Sequence, residues 1–135
     1  QAEAMGEHIS NIGLPIGLVV TSVSCRSRQT ADLAFGGYNS MHRILVHTGP
    51  YNEDPKNRIN NLKIFYNNLK IIDGKNTIIS AHNSVIECKI FINSCSKRPD
   101  LEEGGFYVIS KRQEGLFLEH EFHNFQKFAQ IFYKR

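Results

Sequence analysis

Apolar positions along this chain switch between helical and strand spacing. Ala4, Met5, His8 and Ile9 share a face at helical spacing, so Gln1 to Asn11 reads as the end of a helix, stopped by Gly13 and Pro15. Leu18-Val19-Val20-Thr21-Ser22 is a short β-branched run, the pattern of a buried strand. A helix is predicted from Arg26 to Phe35, closed by Gly36-Gly37. Arg43-Ile44-Leu45-Val46-His47 is a second strand candidate, followed by a polar loop through Gly49-Pro50 and Asn52 to Pro55.

Ile59, Leu62, Ile64, Phe65 and Leu69 mark an amphipathic helix from Pro55 to about Lys70. Asp73-Gly74-Lys75-Asn76 is turn chemistry, and Thr77-Ile78-Ile79-Ser80 is a third buried strand with His82 just past its end. Val85 to Phe91 reads as a helix and Arg98 to Glu103 as a charged loop. Phe106 to Ile109 and Leu116 to Glu119 flank a turn around Gln113 to Gly115, the pattern of an antiparallel hairpin. Phe125, Phe128, Ala129 and Phe132 give a closing amphipathic helix.

Strands alternating with helices, then a hairpin, predict an α/β fold: a three-layer sandwich with a mostly parallel central sheet and a C-terminal antiparallel hairpin. In such sheets functional residues gather beyond the carboxyl ends of the strands. Ser22 to Arg26 and His82 to Ser84 both fall there. Arg26 follows a strand and opens a helix, where a forked guanidinium and free backbone N–H groups favour an anion. The plain alternative is a surface arginine paired with Asp32. His82 offers a base when neutral and a phosphate donor when charged; its plain alternative is a hydrogen-bonded structural histidine.

Composition adds little that is unusual. The 135 residues suit one domain with a core that needs no staples. The net charge of +3 comes from scattered basic residues rather than a stripe, so nucleic acid is not an expected partner, while anionic small molecules are. No apolar run is long enough to span a membrane, and a membrane is not an expected partner either. Cys25, Cys88 and Cys95 lack Cys-x-x-Cys spacing; Cys88 and Cys95 are a possible bridge, and an odd count leaves one thiol over. No cofactor or metal is expected. His120-Glu121-Phe122-His123 lacks the spacing of a helical His-Glu-x-x-His site. A cysteine phosphatase needs an arginine six residues after its cysteine, and Ala31, Ser94 and Leu101 stand there instead.

Gly13 to Val19, then Ser22 to Ala31 (Ser-Val-Ser-Cys-Arg-Ser-Arg-Gln-Thr-Ala) and Leu33 to Gly36, resemble the second arginine motif of histidine phosphatases of the phosphoglycerate-mutase-like superfamily, notably a compact, often exported bacterial branch. Thr77 to Ile86 is similar to that family's second-histidine motif. Gln1 to Gly6 resembles its first long helix, and Leu101 to Phe106 with the hairpin its C-terminal strands. The resemblance implies one domain over residues 1–135 that hydrolyses a phosphomonoester or phosphohistidine through a phosphohistidine intermediate. It implies that Arg26 and His82 are catalytic and bind phosphate with Ser22 and Asn83.

It also implies an attacking histidine in an Arg-His-Gly motif, on a strand preceding the first helix. No Arg-His-Gly occurs in this sequence. A truncated product is therefore expected, inactive as it stands; the alternative is a non-catalytic anion-binding module. One branch places an acidic residue right after the second histidine, where this chain has Asn83. That leaves Glu53 and Asp54, in the loop between the motifs, as candidate acids.

Overall fold

A computed structural model describes residues 2–45, 55–82, 88–93, 101–102 and 104–133. The fold is mixed α/β, with a three-stranded parallel sheet and a separate two-stranded antiparallel hairpin.

Helix α1 (Ala2–Asn11) leads into β1 (Ile16–Ser22), which runs down the middle of the parallel sheet in the order β2-β1-β3. A central parallel strand has both faces covered, which is why β1 is apolar without alternation. Helix α2 (Cys25–Phe35) follows after two residues. Ser24 caps it, its hydroxyl accepting from Ser27 N at 3.2 Å, and Gly36 ends it in the left-handed region at φ 74°.

Strand β2 (Ser40–His42) pairs parallel with β1, placing Val20 opposite Ser40 and Ser22 opposite His42. Here the structure corrects the sequence reading. Pairing begins before the Arg43–His47 run, because Asn39 fastens the chain to β1: Asn39 N donates to Val19 O at 2.7 Å and Val19 N donates to Asn39 Oδ1 at 2.8 Å. Arg43–Leu45 then forms a 3-10 turn that drops Leu45 fully into the core.

Helix α3 (Pro55–Asn68) and β3 (Asn76–Ser80) follow. β3 pairs with β1 on the side away from β2, and its outer edge carries no strand among the described residues. Strands β4 (Phe106–Arg112) and β5 (Gly115–Phe122) make a hairpin with a two-residue turn, Arg112 opposite Gly115. Helix α4 (Phe125–Tyr133) closes the described chain. The predicted Val85–Phe91 helix is, over its described part, a 3-10 turn at Cys88–Ile90. Phe91 then bridges Leu116 in parallel, because Asn93 stands in for a strand residue: its Nδ2 donates to Leu118 O and its Oδ1 accepts from Leu118 N, both at 2.9 Å.

The faces of the sheet are distinct. Val20 joins Leu45, Leu62, Tyr66, Ile90, Phe91, Leu116 and Leu118 in one cluster, with Ile79 packed against it. This face carries α3 and the hairpin. Thr21 and Ser80, paired across β1 and β3, point the other way, where Ser80 Oγ donates to Ser27 O of α2 at 2.8 Å. Helix α1 packs on α2 and so lies on that second face; α4 touches both α1 and β5. Phe128 of α4 meets His8 at 4.7 Å and Phe106 at 4.8 Å between ring centres. Ala4 is exposed, so the buried stripe of α1 is narrower than its spacing suggested. Lys111 ties the hairpin to α3, its ammonium donating to the carbonyls of Asn67, at 2.9 Å, and Leu69.

Candidate functional site

At the carboxyl end of the parallel sheet, β1 ends at Ser22 and α2 starts three residues later. β3, beside β1, ends at Ser80, so His82 emerges next to the opening of α2. The parallel register of Thr21 with Ser80 is what brings the two segments together, although sixty residues separate Ser22 from His82.

Three serine hydroxyls converge on the His82 ring. Nε2 lies 3.2 Å from Ser24 Oγ and 3.4 Å from both Ser22 Oγ and Ser27 Oγ. Ser22 is fully buried, Ser27 is 4% exposed, and Ser24 is half-buried. The hydroxyls are also joined to one another: Ser22 and Ser24 at 3.0 Å, and Ser24 donating to Ser27 at 3.1 Å. Ser24 N in turn donates to Ser22 Oγ at 3.2 Å.

The site residues expected from sequence divide into three groups. Ser22 and His82 are brought into direct contact. Arg26 is the second residue of α2 and exposed; among the described residues no hydrogen bond or ion pair holds its guanidinium. Its neighbour Arg28 faces elsewhere, donating to Cys25 Sγ at 3.2 Å; Tyr38, then Cys25, raise its guanidinium above the ordinary arginine value. Asn83, Glu53 and Asp54 lie outside the described residues.

Sequence reasoning passed over Ser24 and Ser27. Both were legible in principle: a serine just before a helix is the favoured N-cap, and the residue three positions on supplies the N–H it binds. The pair therefore faces one way, toward the end of β3.

Chemically, the site offers hydroxyls, an imidazole and the opening turn of an 11-residue helix, whose first N–H groups have no partner within the helix. Such a set suits an oxyanion. Among the described residues no group of His, Cys, Asp and Glu is arranged to hold a metal, and no helix is long and apolar enough to cross a membrane. Cys25 is a free, exposed thiol, and Cys88 is disulfide-bonded to a partner outside the described residues. No family model matches the chain, and neither a curated protein nor a solved structure matches it.

Proposed function

We propose that this chain is the phosphoryl-binding part of a histidine phosphatase of the phosphoglycerate-mutase-like kind, acting on a phosphomonoester or phosphohistidine. The observation that carries the reading is the convergence of His82 with three serine hydroxyls at the start of α2, in the turn that also holds Arg26. Phosphate oxygens there would meet helix N–H groups, hydroxyls, the imidazole and a guanidinium with no described partner.

Hydrolysis on this reading needs an attacking histidine from a strand that this sequence does not include. The support is topological. α1 lies on the same face as α2, and crossovers between parallel strands are right-handed. A strand feeding α1 therefore belongs on the β3 side of β1. β3 fills the nearer position, so such a strand would fall on the outer edge of β3, which carries no strand among the described residues, with its carboxyl end beside His82.

Titration calorimetry with inorganic phosphate tests the binding half. A charge-assisted hydrogen bond contributes about 1.5–3 kcal/mol, so Arg26→Ala and His82→Ala should each weaken binding roughly 10- to 100-fold. Phosphate bound equally well by wild type and both variants would refute the reading. For the catalytic half, the chain alone should leave an aryl phosphate intact, and turnover should appear when a strand ending in Arg-His-Gly is joined ahead of α1. Phosphate binding without such rescue would favour a binding module that does no chemistry.

A further inference from the structure

We infer that Ser27, through the hydroxyl chain Ser22–Ser24–Ser27, is a positioning residue that holds the neutral His82 ring with Nε2 bare and its proton on Nδ1. The argument is a count of protons and lone pairs. Ser24 Oγ already accepts from Ser27 N, so it has one lone pair left. Ser24 gives its own proton to Ser27 Oγ. Ser22, fully buried, has two acceptors within reach, Ser24 Oγ at 3.0 Å and His82 Nε2 at 3.4 Å. Ser27, buried and already accepting from Ser24, has Nε2 as its remaining acceptor, at 3.4 Å.

With Nε2 bare the ledger closes: Ser22 donates to Ser24, Ser24 to Ser27, and Ser27 to His82. With a proton on Nε2, four protons share these atoms and Nε2 accepts nothing. Ser24 Oγ can then serve Ser22 or Ser27, not both, and a buried hydroxyl proton is left without an acceptor among the described residues. Buried polar groups are rarely left so.

The tautomer bears on this same site. The neutral His82 ring is a proton acceptor at Nε2. If the site takes phosphate as proposed above, the ring must gain a proton at Nε2 before it donates to the anion, and that consequence alone rests on the phosphate reading. The tautomer itself is measured without any anion.

The experiment is long-range proton–nitrogen correlation NMR on the full chain with nitrogen-15 histidine, at a pH where the ring is neutral. His82→Gln identifies the His82 signals by their loss. Wild type should show the downfield, unprotonated Nε2 pattern. Ser27→Ala removes the donor, frees the lone-pair count, and should shift the ring at least about tenfold toward the Nε2–H tautomer that free histidine prefers. Ser27→Thr keeps a hydroxyl and should restore the wild-type pattern. A wild-type ring protonated at Nε2 overturns the inference, as does a folded Ser27→Ala protein with an unchanged tautomer ratio. Should Ser27→Ala fail to fold, the wild-type spectrum decides by itself. A ring that follows these expectations in a chain that binds no phosphate would uphold the inference and reject the phosphate reading.

Discussion

Replacing Gly6 with alanine probes the contact between the first two helices. A Cβ at Gly6 would collide with the Ala34 carbonyl oxygen and lie 2.8 Å from its carbonyl carbon and 2.9 Å from its Cα. All three atoms are backbone, so no side chain can swing aside. Carbon atoms in van der Waals contact sit about 3.5–4.0 Å apart, so α1 must withdraw from α2 by roughly 1 Å. Overpacking of this kind costs about 1–3 kcal/mol. Alanine returns up to about 1 kcal/mol of helix propensity. The net change expected is a loss of up to about 2 kcal/mol, a fall in melting temperature of up to roughly 7 °C for a domain of this size. Urea unfolding should show a lower midpoint with an unchanged slope. Ser10→Ala, at an exposed position of the same helix, is the control: it gains a few tenths of a kcal/mol and meets no clash. A Gly6→Ala protein more stable than wild type by the whole propensity gain, about 1 kcal/mol, would refute the close approach of α1 to Ala34.

Two further outcomes test the core and its titration. Leu62 is fully buried in the cluster that joins sheet, α3 and hairpin, so Leu62→Ala should cost about 2–5 kcal/mol, with sheet and hairpin probes losing signal in one transition. Burial pushes the Tyr66 phenol well above its ordinary 10.0, so its stabilising contribution is complete below that pH and falls as pH rises beyond it. Tyr66→Phe should therefore flatten the alkaline loss of stability in denaturation measured from about pH 9 to 11.

The elements were legible where a single physical cause fixes them. The β-branched run of β1, the Gly36-Gly37 stop of α2 and the turn before β5 each appeared where local chemistry puts them. The Arg43–His47 run misled over its described part, because Arg43–Leu45 is a 3-10 turn while a side chain, Asn39, chooses where pairing starts; Val46 and His47 lie outside the described residues. Val85 to Phe91 misled similarly: an apolar stretch looked helical, yet Phe91 pairs with Leu116, a partner twenty-five residues away that periodicity cannot reveal. At the site, the strand-end rule brought Ser22 and His82 to one edge. It said nothing of Ser24 and Ser27, whose importance depends on which way a capped helix turns its first side chains.

The asparagine amides leave the two sheets unequally tolerant of deamidation. Asn39 meets the ladder through its Oδ1 as acceptor, so hydrolysis of that amide to a carboxylate leaves the bond to Val19 N intact. Asn93 both gives and receives: after the same hydrolysis its former Nδ2 would be an oxygen facing Leu118 O, with no proton to offer. One lost ammonia at Asn93 would turn a paired edge of β5 into a repelled one, while the same loss at Asn39 would leave the parallel sheet that carries His82 in register.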